Sequence, residues 1–148
     1  MTPAKRKPIL IGRDPAELKP VIVGSEYQAG VCNIGPAEIA RRRRFGHVAV
    51  LAALVLLAVL IALHVSPLWR MLIALPAAGA ASGYIQARMH FCANFGSRGV
   101  YNLGEVGTVT SVADAAARAR DRARAMQITL ASVLIGLVAG VVAVLLPV

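Results

Sequence analysis

Three long apolar blocks, at about residues 47–65, 68–87 and 127–146, constrain the fold of this chain more than any other feature. Each block is close to the length of about 20 residues that a helix needs to cross the hydrocarbon of a bilayer. Hydrophobic residues make up 57% of the 148 residues, above the level of a typical soluble domain. So short a chain has too little polar sequence to cover these blocks in water. We therefore predict an all-α integral membrane protein with three transmembrane helices.

The first helix is predicted to begin at Pro36 and to run through four consecutive arginines into the first block. Proline suits the first helical position because its missing N–H costs nothing there. Glu38 in the first turn is favoured by the helix dipole. A tight turn at 65–67 leads to the second span, which Pro76 is expected to kink. Arg70, near the start of that span, is expected to extend to the lipid headgroups.

Residues 1–35 are polar and rich in proline and glycine, and they predict a cytoplasmic, partly disordered tail. Two apolar runs in the tail, at 8–12 and 20–24, are bounded by proline and glycine, which limits them to brief extended segments. Order is expected to begin near Cys32. Residues 36–148 then form the three-helix membrane domain.

Residues 88–126 are polar and are predicted to form a cytoplasmic loop between the second and third spans. The glycines from Gly96 to Gly107 indicate a shaped loop rather than a helix. Ser111 and Asp114 have the spacing of a capping box. They predict a short cytoplasmic amphiphilic helix before the third span.

The basic residues indicate how the chain is oriented. Of the 16 lysines and arginines, all but Arg70 lie in segments 1–46 and 88–126, which fall on one side if there are three spans. Basic loops remain in the cytoplasm, so the N-terminus is predicted to be cytoplasmic and the C-terminus outside. The high alanine and arginine content is typical of GC-rich bacterial genomes, and we predict the inner membrane of a bacterium.

Two arginine clusters flank the spans, and we expect them to contact anionic lipid headgroups. Each basic group beside an anionic leaflet gains about 1 kcal/mol. Nucleic acid is not an expected partner, because no stacking aromatic residues accompany the arginines. The predicted lipid contacts are Arg41, Arg42, Arg43, Arg44, Arg118 and Arg122.

Two G-x-x-x-G patterns lie within the apolar blocks, Gly79 with Gly83 and Gly136 with Gly140. Glycines four residues apart share one helix face and let two backbones approach closely. They predict helix packing, either within one chain or between copies.

A thiol–imidazole cluster is the sharpest chemical hypothesis. Cys32, His47, His90 and Cys92 all fall near the same membrane surface, and two cysteines with two histidines are a complete ligand set for structural zinc. No cofactor is predicted, because the spacing matches no known zinc finger or ribbon; zinc or iron would be the metal to consider if the four side chains meet. A redox pair of Cys32 and Cys92 is an alternative, and so is a purely packing role for both.

Catalysis has little support in the sequence. The apolar blocks contain no Asp, Glu or Lys, and no nucleophile motif or phosphate-binding loop is present. We predict that the chain is not an enzyme but a non-catalytic accessory or scaffold subunit of a larger inner-membrane assembly, partnered by other membrane subunits or by itself. The alternatives are a membrane-surface metal or thiol redox protein, and a homo-oligomeric channel lined by Ser82, Gln86 and Thr129.

Overall fold

The computed structural model describes residues 26–147 and the backbone of residues 9–10 and 20–21, and the chain is mostly helical. The helices are α1 (Pro36–Ala62), a 3₁₀ helix (Pro67–Ile73), α2 (Ala74–Met89), α3 (Ala93–Arg98) and α4 (Ala115–Leu145). Four two-residue strands form two antiparallel pairs, β1 (Ile9–Leu10) with β2 (Pro20–Val21) and β3 (Val100–Tyr101) with β4 (Thr110–Ser111). Most of the predicted disordered tail lies outside the described residues.

Helix α1 begins at Pro36 and continues without a break through the arginines and the first apolar block, as its sequence predicts. Its 27 residues span about 40 Å at 1.5 Å per residue. The helix ends at Ala62, where His64 takes a left-handed conformation with φ 50° and turns the chain.

The second apolar block contains two types of helix, where a single helix kinked at Pro76 is predicted. It begins as the 3₁₀ helix, and Ile73 at the junction has αR torsion angles, so the helical path continues directly into α2. Pro76 is the third residue of α2. Proline lacks the N–H of the α-helical hydrogen-bond ladder, which costs little in the first turn of a helix.

The prediction of a separate amphiphilic helix before the third span is wrong. Helix α4 is continuous over 31 residues and contains both the arginine-rich segment and the apolar block. Its N-cap is Asp114, whose carboxylate accepts from the backbone N–H groups of Ala116 (3.3 Å) and Ala117 (2.9 Å). Ser111 belongs to β4 instead, so the capping box is also wrong.

The glycine-containing stretch after α2 is also more regular than predicted. Residues 93–98 form the helix α3, where an open loop is expected from the glycines. Gly99 follows it with φ 68° and closes the helix in the left-handed conformation that glycine adopts at little cost. The pair β3–β4 then brackets residues 102–109, and this part alone is an irregular loop.

Helix α2 runs antiparallel to α1 and packs along it. At one end Gly83 faces Gly46, and at the other Ile73 shares a buried cluster with Leu60. Early residues of one helix therefore meet late residues of the other.

Helix α4 packs antiparallel on another face of α2. Ile128, early in α4, clusters with Ile85, late in α2, while Gly136 faces Ala74 at the opposite end. The molecule is thus a three-helix layer with α2 between α1 and α4.

Helices α1 and α4 are each long and apolar enough to cross a membrane. Only 17% and 28% of their most apolar 18-residue windows are buried within the molecule. A core helix of a soluble protein is mostly buried, so these exposed aliphatic faces support association with a membrane.

Candidate functional site

The polar end of the bundle holds the candidate site and is built on a buried asparagine. Asn33 is fully buried; its side-chain oxygen accepts from the N–H of Cys92 (2.6 Å) and its Nδ2 donates to the carbonyl of Cys92 (3.1 Å). The N–H groups of Asn33 and Ile34 both donate to the carbonyl of His90, at 3.1 and 3.3 Å. The segment before α1 is thereby fixed to the chain that leaves α2.

A second buried asparagine shapes the loop between β3 and β4. Asn102 donates to the carbonyl of Glu105 (2.8 Å), and its side-chain oxygen accepts from the N–H of Gly104 (3.0 Å) and the hydroxyl of Thr108 (3.1 Å). Its backbone N–H donates to the carbonyl of Asn33 (2.9 Å). One amide therefore sets the base of the loop and joins it to the rest of the polar end.

The buried carboxylate of Asp121, in the polar part of α4, anchors the segment that precedes α1. It accepts from the hydroxyl of Tyr27 (2.9 Å) and the N–H of Gly30 (2.7 Å). The pKa of Tyr27 is raised from 10.0 to about 12, mainly by burial and secondly by the hydrogen bond to Asp121. The Tyr27 ring also stacks on Tyr101 at 4.6 Å. These contacts hold residues 26–31 against α4.

A further buried polar group, Glu38, lies in the first turn of α1. Its oxygens are 3.6 Å from Nη2 of Arg42 and 3.7 Å from Nη1 of Arg41, beyond hydrogen-bond distance. Arg42 donates from Nη2 to Sγ of Cys92 (3.1 Å), and its guanidinium lies 5.9 Å from the centre of the Phe95 ring. Its Nε is buried and has no hydrogen-bond partner among residues 26–147.

The four residues considered as metal ligands occupy different surroundings. His47 Nδ1 pairs with the hydroxyl of Tyr84 at 2.6 Å, while Cys92 is fully buried beside Arg42. Burial raises the pKa of Cys32, which disfavours the thiolate that binds metal. Within the described part of the chain, no group of three or more His, Cys, Asp or Glu side chains is placed to hold a metal ion.

Three of the four glycines predicted for helix packing lie at close approaches. A Cβ at Gly83 would stand 2.8 Å from the carbonyl oxygen of Arg42, and one at Gly136 would stand 2.5 Å from that of Ala74. At Gly140 it would meet the sulfur of Met71 at 2.7 Å. All of these neighbours belong to the same chain. Gly79 differs, because a Cβ there would have its nearest neighbour at 3.7 Å.

The arginines predicted to contact lipid divide into two groups. Arg42 and Arg118 make internal contacts, and Nη1 of Arg118 donates to the carbonyl of Val112 (3.0 Å). The others are exposed at the polar end: Arg41, Arg43, Arg44 and Arg122. Arg70, at the opposite end, is only 4% exposed and donates to the carbonyl of Leu146 (2.9 Å) instead of extending to the headgroups.

Arginine-containing cavities surround the polar end. Of three such cavities, the one that we call the Arg42–Arg122 groove has a volume of about 570 Å³ and lies between α1, α2, α3 and α4. Two smaller cavities, of about 390 and 270 Å³, contain Arg43 with Arg88 and Arg120 with Arg124. In the described residues that line these three cavities there is no carboxylate.

Sequence reasoning missed the residues that organise this end of the molecule. Each of the two residues is distinctive in the local sequence. Asn33 lies just before a Gly-Pro turn, and Asp121 is the single acidic residue among the arginines of α4. The partners of these residues lie 59 and more than 90 positions away, and local patterns do not report such contacts.

The chain was compared with protein-family models, with curated proteins and with solved structures, and none of the three comparisons gives a match.

Proposed function

We propose that this chain is a three-span protein of the bacterial inner membrane that acts as a non-catalytic accessory or scaffold subunit of a larger assembly. Its N-terminus and polar end lie in the cytoplasm and its C-terminus lies outside. The observation that carries the proposal is a loop at the polar end whose base is fixed and whose residues 104–109 are all exposed.

The antiparallel position of α2 supports a third span. The 3₁₀ helix and α2 form one helical path of 23 residues, Pro67–Met89, between two helices that are each long enough to cross a membrane. At about 2.0 and 1.5 Å per residue this path is roughly 38 Å long, more than the hydrocarbon core of about 30 Å. A segment packed along the apolar parts of two spanning helices is expected to cross with them.

The distribution of charge supports the orientation. Residues 1–46 and 88–126 contain 15 of the 16 lysines and arginines, and residues 26–46 and 88–126 lie at the polar end. Arg70 lies at the other end, where it donates to the carbonyl of Leu146, the residue that follows α4. The helix dipole favours a cation there. Arg70 is thus structural and does not oppose the positive-inside rule.

The exposed loop supports a protein partner. Val106 and Val109 are 50% and 54% exposed at the polar end, away from the aliphatic faces of α1 and α4 that lipid covers. The bonds of Asn102 fix the base of the loop, so little conformational entropy is lost when a partner binds. Preformed apolar surface of this kind is typical of protein–protein contact sites.

The test compares Val106→Asp and Val109→Asp with Val31→Asp, a valine of similar exposure at the same end (55%). Each tagged protein is extracted in mild detergent and its co-purifying proteins are quantified. We expect the wild type to migrate as a heteromeric complex, and the two loop variants to lose its partner at least tenfold relative to Val31→Asp. A lone monomer, or equal recovery of the partner with all three variants, would overturn the proposal.

A further inference from the structure

We infer that the Arg42–Arg122 groove binds the phosphate group of an anionic phospholipid. The inference rests on the bilayer placement proposed above, but not on the accessory-subunit role. The groove has a volume of about 570 Å³ and its lining comes from four helices. Its lining includes Arg42, Ser82, Ser97, Arg122 and Met126.

The charge of the groove selects an anion. Arg42 on α1 and Arg122 on α4 both line it, and its described lining contains no Asp or Glu. Glu38 lies 3.6 Å from Nη2 of Arg42, outside the lining, and offsets part of that charge. Arg122 is exposed and adds a full positive charge. Guanidinium groups that line one cleft can each donate to phosphate oxygens.

The donors of Arg42 are incompletely used. Its Nη2 donates to the Cys92 sulfur, a weak acceptor, and its buried Nε has no partner within residues 26–147. Because that Nε is buried, a ligand in the groove would contact the exposed part of the Arg42 side chain, which is 21% exposed, and a phosphate oxygen is a strong acceptor. Ser82 accepts from Nε2 of Gln86 at 2.6 Å, which leaves its own hydroxyl proton available to a ligand.

The depth of the groove favours a lipid over a free ion. Ser82 lies seven residues before the end of α2 at Met89, so the lining extends about 10 Å along the helix from the polar end. Apolar side chains, including Met126, accompany the polar ones. The arginines would hold the phosphate at the membrane surface, while the glycerol and upper acyl chains would lie between α1 and α4.

The test measures lipid binding to the full chain by native mass spectrometry in detergent with added phosphatidylglycerol. Ser97 is exposed and lines the groove, so Ser97→Glu adds a negative charge and Ser97→Gln is the control of equal size. Arg122→Gln removes a lining charge, and Arg44→Gln removes an exposed charge outside the groove. Phosphatidylcholine and inorganic phosphate serve as competitors.

We expect Arg122→Gln to weaken phosphatidylglycerol binding about fivefold and Arg44→Gln to change it less than twofold. Ser97→Glu should bind at least fivefold more weakly than Ser97→Gln. Equal losses for Arg122→Gln and Arg44→Gln would show diffuse surface attraction and would overturn the inference. Equal competition by phosphatidylcholine or by inorganic phosphate would also overturn it. Membrane fractionation of each variant reports separately whether the bilayer placement holds.

Discussion

The hydroxyl of Tyr27 donates a 2.9 Å hydrogen bond to the carboxylate of Asp121, 94 residues further along the chain. Asp121 is fully buried and also accepts from the N–H of Gly30. The segment before α1 is therefore fixed to α4, although α1 and α4 themselves lie on either side of α2. Through the Asp121 carboxylate, this contact joins the two segments at the polar end of the bundle.

The first prediction concerns the titration of Tyr27. Its pKa of about 12 lies above the ordinary value of 10.0, so the neutral phenol is favoured in the folded protein. The stability that this contact contributes is fully present below pH 10 and is lost as the pH rises towards 12. Phenolate absorbance should show a late step in the wild type that is missing in Tyr27→Phe. If the two absorbance curves differ only by a step near pH 10, the contact is not made in solution.

A matched pair of glycines tests the helix packing. Gly83→Ala places a Cβ 2.8 Å from the backbone of α1, which cannot move without separating the helices, and we expect a loss of about 1–3 kcal/mol. Gly79→Ala meets its nearest neighbour at 3.7 Å and should be neutral or slightly stabilising. Unfolding with sodium dodecyl sulfate measures both. Equal effects at the two positions would contradict the observed packing.

Loss of the Nδ2 donor of Asn33 should destabilise the folded protein. In Asn33→Asp, a carboxylate oxygen replaces the Nδ2 that donates to the carbonyl of Cys92 at 3.1 Å, so two acceptors face each other in a buried site. We expect a loss of about 3 kcal/mol or more in the free energy of unfolding. Asn94→Asp, at an exposed position, is the control and should change stability by less than about 0.5 kcal/mol. Similar stability of the two variants would rule out the buried amide contact.

Arg70 is expected to stabilise the end of the bundle that lies away from the arginine clusters. Arg70→Gln removes the 2.9 Å bond to the carbonyl of Leu146 and the cation at the end of α4, at a cost of about 1–3 kcal/mol. Arg44→Gln, at an exposed position, should have little effect. Amide hydrogen exchange should show faster opening of the last turn of α4 in Arg70→Gln alone. Unchanged exchange there would show that the contact does not hold the helix end.

Much of the helical framework was readable from local sequence. Pro36 and Glu38 marked the start of α1, and the length of the apolar run indicated that the helix continues into the first block. The G-x-x-x-G spacing identified Gly83 and Gly136, because small residues four apart on one face allow close backbone approach whatever the partner helix is.

The errors arose where tertiary contacts decide the outcome. The side chain of Asp114 caps α4. Ser111 instead lies in β4 and pairs with Val100 of β3, a pairing that no local sequence pattern identifies. Arg70 is predicted to extend to the headgroups, but it is buried and donates to the carbonyl of Leu146, just after α4. The candidate site depends on Asn33, whose partner lies 59 residues away. Such partners become visible only once the helices are packed.

The three-span arrangement is tested most directly by labelling single cysteines in intact cells with a membrane-impermeant maleimide. In a background of Cys32→Ala and Cys92→Ala, we use Ser66→Cys, Thr108→Cys and Pro147→Cys, all at exposed positions. We expect positions 66 and 147 to react in intact cells, and position 108 to react only after the membrane is permeabilised. Reaction of positions 66 and 108 from the same side would show that α2 does not cross and would contradict the account.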